Sequence, residues 1–359
     1  MTKLIIGSQL RKARALLQLS EEEVAREIGV TSSAISEWER EIGQPTVKQL
    51  QELARSYGRS IDYFLKKTPE TPTGIEFRGK TGKTLRSLDK ETKLIIARFD
   101  ELCRISVEIE NSLDKKLKPT LPPFTERPEV AARRLREGFG FKDGPTKNLR
   151  EAFEKKGVRI FELPVPSENF SGFSFRHSVY GLCVLINATE PKPRRNFTLA
   201  HEIAHLIYQH SPSVCFIPSQ FVRHQSREEH LANKFAVEFL MPESGITKDF
   251  HVRGISDKPS EMQLKTMASK WSVSVLALAY RLENLGLIIE GFSEKISEIA
   301  PKHFRAPRGP KWRRRLGERF VNISFEAYQH GKITSGKLAQ TLGLPLRKTI
   351  EEIEKHAGN

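Results

Sequence analysis

The chain has 359 residues, 38% of them hydrophobic, and a formal net charge of +15 at pH 7. This length predicts two or three domains, and no apolar run approaches the roughly 20 residues of a membrane-spanning helix, so we expect no membrane partner. The basic excess favours an anionic partner, nucleic acid first, with solubility as the alternative explanation. Cys103, Cys183 and Cys215 show no ligand spacing, which indicates reduced thiols in a cytoplasmic protein.

The N-terminal pattern predicts a compact unit of short helices. Ser20 followed by Glu23 forms a capping box that opens one helix, and Gly29 closes it. Thr31 can cap the next helix, "SSAISEWER". Two short helices joined by a tight glycine-containing turn form a helix-turn-helix, whose second helix can enter the major groove of DNA.

Residues 5–65 resemble the Cro/CI-type (XRE) helix-turn-helix family. The resemblance rests on Leu10, Arg11, Arg14, "LSEEEVAREIGV", "SAISEWE", Pro45 and the apolar positions of "LQELARSYGRSIDYFL". It implies an all-α domain in which part of the recognition helix faces the DNA bases, namely Ser32, Ser33, Ser36 and Glu37.

Two acidic residues depart from the pattern of that family. Glu21 stands where the family usually has glutamine, and Glu37 where a basic or amide residue is frequent. Carboxylates are repelled by phosphates, and the "SSAISE" helix has no Arg, Lys, Asn or Gln for bidentate base contacts. We therefore expect either DNA binding by this domain or a retained fold that serves homodimerisation or docks a protein partner.

Residues 66–127 predict a linker and a connector helix. Proline and glycine interrupt the sequence from Lys66 to Lys83. Leu88–Leu113 carries apolar residues at three-to-four spacing, which predicts one long amphipathic helix. A proline-rich break then ends the connector near Pro128.

A mixed pattern predicts an α+β domain over residues 128–245. The segments "EVAARRLREGFG" and "LREAFEKKGV" are helical in pattern, whereas "VRIFELPV", "FSGFSFRH" and "YGLCVLIN" have the pattern of short strands. The last of these is apolar enough to be buried on both faces.

The stretch "FTLAHEIAHLIYQH" contains the strongest chemical signal. On a helix, His201 and His205 lie one turn apart on the same face and can hold one metal ion, while Glu202 beside them can reach a water molecule. Imidazole and carboxylate ligands suit Zn²⁺, with Mn²⁺ as the alternative. Glu202 would move protons between that water and the leaving amine. A hydrolytic zinc site also needs a third protein ligand.

The segment "SREEHLANKFAVEFLMP" supplies the predicted third ligand. Glu229 and Asn233 share one face of a helix, so Glu229 can bind the metal while Asn233 accepts a hydrogen bond from a ligand histidine. Glu228 is the alternative ligand, about 100° around the helix. The remaining histidines nearby are expected at the surface or at helix caps: His210, His224 and His230. The alternative for the whole site is a pair of helices that binds no metal.

Residues 128–245 resemble the ImmA/IrrE family of metallopeptidases. The matching stretches are "GPTKNLREAFEKKGVRIF", "RRNFTLAHEIAHLIY" and "EEHLANKFAVEFLMP". The resemblance implies a zincin-like fold in which the "YGLCVLIN" strand pairs with an extended substrate. It also implies three metal ligands and a catalytic base, namely His201, His205, Glu229 and Glu202. In this family the usual role is cleavage of a helix-turn-helix repressor, which releases stress, mobile-element or phage genes.

Two helical units follow the predicted peptidase. Residues 255–295 again suggest helix, turn and helix, for which nucleic-acid contact and packing against the peptidase are equally expected. Residues 300–359 form a third such unit, and its basic stretch suits phosphate contacts and base stacking, with a solvated linker as the alternative. The cations are Lys302, Arg305, Arg308, Lys311, Arg313, Arg314 and Arg315, interleaved with His303, Phe304 and Trp312.

The predicted fold is mainly α and multi-domain: an all-α helix-turn-helix, a central α+β zincin-like metallopeptidase with a small sheet, and C-terminal helical modules. The predicted function is that of a cytoplasmic, zinc-dependent endopeptidase and transcriptional regulator, which cleaves a helix-turn-helix repressor and binds DNA. The alternative is a non-proteolytic DNA-binding regulator whose metal site is structural or sensory.

Overall fold

The computed structural model describes residues 6–65, 88–167, 170–210, 214–215, 226–299 and 311–357. Over these residues the protein is mainly helical, with one small mixed sheet among the helices. None of the described helices is long and apolar enough to span a membrane. The linker predicted from Lys66 to Lys83 lies outside the described residues.

Five short helices form the N-terminal unit: α1 Gly7–Leu16, α2 Glu21–Ile28, α3 Ser32–Glu39, α4 Val47–Ser56 and α5 Ile61–Leu65. The capping box is present as predicted, because the Glu23 amide donates to Ser20 Oγ (3.1 Å) and the Ser20 amide donates to the Glu23 carboxylate (2.6 Å). Gly29 ends α2 in the left-handed conformation, with φ of 72°, and Thr31 caps α3. α2 and α3 are therefore separated by a three-residue turn.

A 23-residue helix, α6 Lys90–Ser112, lies at the centre of the fold. The helix predicted over this segment is present, but it is buried on several faces and is not a one-sided connector. The N-terminal unit, one face of the sheet and the C-terminal helices share a hydrophobic core with it. Arg59, in the turn between α4 and α5, donates to the Ala97 carbonyl (3.0 Å) and to Asp100 Oδ2 (2.5 Å) of this helix.

The four described strands are β1 Val158–Leu163, β2 Gly172–His177, β3 Gly181–Asn187 and β4 Val214–Cys215. Their order is β1-β3-β2-β4. β3 pairs parallel with β1 and antiparallel with β2, and β2 pairs antiparallel with β4 at Gly172 and Phe173. Since β3 has a neighbouring strand on each side, the prediction that an extended substrate pairs with this strand is wrong.

The two faces of the sheet belong to two hydrophobic cores. Side chains alternate along β3, so that Leu182, Val184 and Ile186 pack with the helices that follow the sheet. Cys183 and Leu185 pack on the opposite face, with α6. Burial on both faces explains the continuous apolar run of this strand.

The helices around the second core are α7 Pro128–Gly138, α8 Leu149–Lys155, α9 Lys192–Ile207, α10 Arg227–Leu240, α11 Glu243–Val252, α12 Glu261–Trp271, α13 Val275–Asn284 and α14 Phe292–Ile299. α9 and α10 contact each other, and α9 also lies against β2 and β3. Buried small residues such as Ala200, Ala204 and Ala236 allow close approach between these elements. The sheet and α10 thus hold α9 from two sides.

The α12–α13 pair packs into the same core as α9 and α10. Leu278 and Leu282 of α13 are fully buried there. Arg281 donates to the Met241 carbonyl (3.1 Å) and to Glu238 Oε2 (2.8 Å) of α10. Of the two roles expected for this segment, the described contacts are those of packing against the central α+β domain.

The chain ends in four helices, α15 Lys311–Leu316, α16 Glu318–Gln329, α17 Ser335–Leu342 and α18 Leu346–Ala357. α16 packs against α6, and Arg98 of α6 donates to the carbonyls of Gln340 and Thr341 at the end of α17 (3.1 Å each). The predicted mainly α fold, with an N-terminal helix-turn-helix, a central α+β domain and C-terminal helical modules, is confirmed.

Candidate metal centre

Two neighbouring helices carry the residues of the candidate site. α9 presents His201 and His205 one turn apart, and both side chains are buried. α10 begins at the cap Ser226, whose hydroxyl accepts a hydrogen bond from the Glu229 amide (3.2 Å). This cap places Glu229 in the first turn of α10, facing the two histidines.

The three side chains converge on one point. Glu229 Oε2 lies 3.2 Å from His201 Nε2, and Glu229 Oε1 lies 3.4 Å from His205 Nε2. The two imidazole Nε2 atoms are 3.0 Å apart. One ligand atom from each residue falls within a mutual distance of 4.8 Å, and these three form the metal-compatible cluster within the described ranges. Two imidazoles and one carboxylate are a donor set that fits Zn²⁺ and leaves a coordination position open.

Asn233 orients the first histidine from behind. Its Oδ1 lies 2.9 Å from His201 Nδ1. The side-chain oxygen can accept a hydrogen bond from Nδ1–H. This bond fixes the tautomer of His201 whose Nε2 lone pair points at the cluster. The structure thus places Asn233 where its spacing from Glu229 suggested.

His210 has the same relation to the second histidine. Its Nδ1 lies 2.9 Å from His205 Nδ1, and its ring stacks on Tyr208 with a centroid distance of 5.7 Å. Partial burial, with the neighbouring His205, lowers the pKa of His210 to about 4, so this ring is neutral and its Nδ1 can accept a hydrogen bond from His205 Nδ1–H. His210 is not among the residues of the metal-compatible cluster, but its contact with His205 is not predicted from the sequence.

The chain turn after α9 explains why the position of His210 is not evident from helical spacing. Gln209 adopts the left-handed conformation, with φ of 55°, and the His210 amide donates to the His205 carbonyl (3.0 Å). This turn folds the chain back onto the last turn of the helix. Glycine usually marks a left-handed residue at a helix end, and a glutamine stands here instead. The sequence therefore gives no indication of this turn.

Glu202 is buried beside the cluster. Only 1% of the residue is exposed, and its Oε1 has no hydrogen-bond partner among the described residues. Burial raises the pKa of this carboxyl above its usual value, against the opposing influence of the two histidines. Such an unpaired buried oxygen needs a further partner, and a water molecule in the site would supply one.

Hydrogen bonds within the cluster favour a charged Glu229 and a protonated His205. Burial would raise the pKa of Glu229, but hydrogen bonds with His201 and His205 hold it well below its usual range. Burial would lower the pKa of His205, but its hydrogen bond with Glu229 and the nearby Glu202 charge raise it. A metal ion entering the site must therefore displace a proton.

The remaining predicted residues of this region lie elsewhere. Glu228 and His230 do not contribute to the metal-compatible cluster among the described side chains. His230 is exposed. His224 lies outside the described residues.

The serines of the recognition helix remain accessible. Ser33 is exposed, and Ser32 and Ser36 are half-buried. Arg14 pairs with Glu21 at 3.5 Å, which offsets the charge of the acidic residue that departs from the family pattern.

The C-terminal cations differ in their surroundings. Arg314 is exposed, whereas Arg313 pairs with Glu352 at 3.1 Å and lies 4.8 Å from the Trp312 ring. Arg315 is half-buried. Lys302, Arg305 and Arg308 lie outside the described residues, as does the side chain of Lys311.

Two family models match this chain. Residues 153–283 match a peptidase family, M78, described as the IrrE N-terminal-like domain, and residues 10–64 match a helix-turn-helix family. The first match includes both metal-cluster helices and most of α13.

No curated protein matches the chain. A solved structure, Bacillus thuringiensis PlcR in complex with the peptide PapR7 and DNA, is 12% identical and covers 99% of this chain and 97% of its own. Its TM-score of 0.17 is too low to support any argument from that likeness.

Proposed function

We propose that this chain, in which an XRE-type helix-turn-helix domain precedes an IrrE-like domain of the M78 peptidase family, is a metal-dependent endopeptidase and a transcriptional regulator. One observation carries the proposal. His201, His205 and Glu229 converge within metal-binding distance, and the carboxylate of Glu202 lies buried beside them with an unpartnered oxygen.

The donor set favours zinc, with manganese as the alternative. Neutral imidazole and carboxylate ligands suit Zn²⁺, whereas Mn²⁺ prefers a larger share of oxygen ligands. When bound, Zn²⁺ would act as a Lewis acid that activates water and polarises the carbonyl of the scissile peptide bond. His201, His205 and Glu229 would hold the ion, and Asn233 and His210 would hold the two imidazole rings.

Glu202 is the candidate general base. A raised pKa makes the Glu202 carboxylate a stronger base. It can therefore take a proton from the attacking water and return it to the leaving amine. The site is buried between α9, α10 and β2, which keeps competing water away from the carboxylate. Ser174 Oγ of β2 donates to the Glu202 carbonyl (3.2 Å) and ties the strand to this turn of α9.

The substrate strand would add to β2. β2 pairs with β4 only at Gly172 and Phe173 among the described residues, and it lies directly against α9. An extended peptide that pairs with β2 from Ser174 onward would lie along α9, the helix that carries Glu202. A cytoplasmic repressor with a helix-turn-helix fold is the proposed substrate, because the chain itself carries such a domain.

The proposal is tested by cleavage of purified repressors. The full chain, loaded with Zn²⁺ or with Mn²⁺, is incubated with helix-turn-helix repressors from the same genome, and cleavage is followed by mass spectrometry. Glu202→Gln should keep the metal and lose about 10²- to 10⁴-fold in rate. Intact repressors under all conditions, or equal rates for Glu202→Gln and the unsubstituted chain, would overturn the peptidase proposal.

Metal content tests the ligand assignment. Glu229→Ala should abolish stoichiometric metal in purified protein, whereas the adjacent Glu228→Ala should retain it. Metal that survives Glu229→Ala would assign the third ligand to another residue. Regulation of target genes that is unchanged by Glu202→Gln would support the alternative of a non-proteolytic regulator with a structural or sensory metal.

A further inference from the structure

Three pairs of described helices, α2–α3, α12–α13 and α17–α18, are joined by a three-residue turn of the same geometry. In each copy one residue adopts the left-handed conformation, and the amide of the next residue donates to the carbonyl five positions back. An alanine supplies that carbonyl each time. The three hydrogen bonds are Val30 to Ala25 (2.9 Å), Val273 to Ala268 (3.1 Å) and Leu344 to Ala339 (3.0 Å).

The first and third copies agree over the first helix, the turn and the start of the second helix. α2 and α17 each have eight residues. Each is preceded by a capping residue whose hydroxyl accepts a hydrogen bond from the backbone amide three positions further along the chain. Three residues then lead into α3 and α18, respectively. A constant spacing of 314 positions, as from Gly29 to Gly343, relates the two segments. α17–α18 is therefore a second helix-turn-helix in local geometry.

The buried positions of these two segments also correspond. Val24 and Ala25 of α2 are buried, as are Leu338 and Ala339 of α17. In the second helices, Ile35 is buried in α3, and the corresponding Thr349 is buried in α18.

The middle copy is the least suited to enter a DNA groove, because its second helix has no exposed residue before Asn284. Its second helix, α13, is embedded in the core of the peptidase domain through Leu278, Ala279 and Leu282. The first and third copies are thus the two candidates for DNA contact.

The two candidate surfaces differ in charge. The first turn of α2 consists of Glu21, Glu22 and Glu23, whereas the corresponding turn of α17 has no acidic residue. This turn approaches the phosphate backbone in helix-turn-helix complexes, where carboxylates are repelled. The charge of the α17 end is the more compatible with DNA.

The recognition helices differ in the same direction in their first turns, whereas Glu351 of α18 stands at the position of Glu37 of α3. At the position of Ser33 in α3, α18 has Arg347, whose side chain is 94% exposed, and the next residue, Lys348, is also exposed. Arginine can bind guanine through two hydrogen bonds or contact a phosphate. Leu346 and Ile350 are 49% and 45% exposed, and apolar side chains of this kind contact thymine methyl groups.

The opposite side of α18 is fixed to the protein. Thr349 is buried, Glu352 pairs with Arg313 at 3.1 Å, and the His356 ring lies 4.3 Å from that of Phe325. Arg347 itself is 3.6 Å from Glu351 in an exposed pair, which is weak. The helix is thus held rigidly while its cationic first turn faces solvent.

We propose that α17–α18 is a second helix-turn-helix that binds duplex DNA, with Arg347 and Lys348 on the DNA-facing surface. This assignment goes beyond the peptidase function and does not depend on it.

Fluorescence anisotropy of the full chain tests the assignment. The probe is a labelled 30-base-pair duplex pool of random sequence, titrated at several salt concentrations. The Arg347→Ala/Lys348→Ala double substitution should weaken binding roughly 10- to 100-fold and reduce the slope of log Kd against log salt by about 2. Arg347→Lys should keep the salt slope and reduce sequence preference in a selection from the pool.

The matched control removes two adjacent cations from α7, by Arg133→Ala/Arg134→Ala, and should leave DNA affinity nearly unchanged. Circular dichroism must show the same helix content for both doubly substituted chains. A full chain that does not bind the pool, equal losses in both doubly substituted chains, or a loss confined to Ser32→Ala/Ser33→Ala/Ser36→Ala would each overturn the proposal. Metal content and repressor cleavage by the Arg347→Ala/Lys348→Ala chain report separately on the peptidase.

Discussion

Gly172 of β2 lies where a larger side chain would meet the candidate base. A Cβ at this position would fall 2.5 Å from Thr198 Cγ2 and 3.2 Å from Glu202 Oε1. The first distance is a clash within a packed interior, so the strand or α9 would have to shift. Because Gly172 has no side chain, β2 can lie close to α9 and to the Glu202 carboxylate.

We expect Gly172→Ala to destabilise the protein by about 1–3 kcal/mol and to lower any peptidase rate, because α9 must move. Denaturant unfolding and a cleavage assay measure the two effects. Gly138→Ala is the control, since a Cβ at that helix position meets nothing within 4 Å. Equal stability of the two variants would contradict the packing argument.

His210 is predicted to strengthen metal binding without touching the metal. Removal of an outer hydrogen-bond partner of a ligand histidine weakens affinity by about 10- to 100-fold. We therefore expect that loss in a zinc titration of His210→Ala. His230→Ala, which removes an exposed histidine of α10, should bind zinc like the unsubstituted chain. An unchanged affinity in His210→Ala would show that the contact with His205 has no such role.

Zinc affinity should fall as the solution becomes acidic. The pKa of His205 is raised in the metal-free protein, so its imidazole holds a proton that zinc must displace below that pKa. The apparent affinity should then decrease by about tenfold per pH unit for each displaced proton. Titrations at pH 6 and pH 8 in a competing chelator measure this dependence. Equal affinities at the two pH values would contradict proton displacement.

At the level of helices and strands, local signals were predictable and long-range ones were not. The capping box at Ser20 depends on residues three apart, and the shared face of Glu229 and Asn233 depends on residues four apart. The sequence could therefore indicate both. The all-round burial of α6 depends on contacts such as Arg98 with Thr341, 243 positions away, which no local pattern records. The pairing of β3 with β1 and β2 was not predictable from the sequence for the same reason.

Arg59 is predicted to be a sensitive link between the α4–α5 turn and α6. Its guanidinium is buried and pairs with Asp100 and Glu101, so Arg59→Ala would leave two buried carboxylates without this partner. We expect a loss of about 3–5 kcal/mol in the free energy of unfolding. Arg55→Ala, which breaks an exposed pair with Glu52, should cost about 0–1 kcal/mol. Denaturant unfolding compares them, and similar losses would refute the role of burial.

In the whole molecule, the first and last helical units meet on the same helix. Lys337 of α17 pairs with Asp62 of α5 at 2.7 Å, and both units share a core with α6 and the sheet. Removal of residues 318–357 would therefore expose apolar surface of the N-terminal half. The two helix-turn-helix units belong structurally to one body, while the metal helices pack on the other face of the sheet.

The Lys337–Asp62 pair spans 275 positions, which has a consequence for biosynthesis. At ribosomal speeds of about 5–20 residues per second, α6 must wait roughly ten seconds to a minute before its last packing partners are made. During that interval the part of the apolar surface of α6 that packs against the C-terminal helices stays uncovered. Contacts between residues so far apart in sequence also form slowly. Nascent chains of this protein should therefore depend on chaperones until the final helix leaves the ribosome.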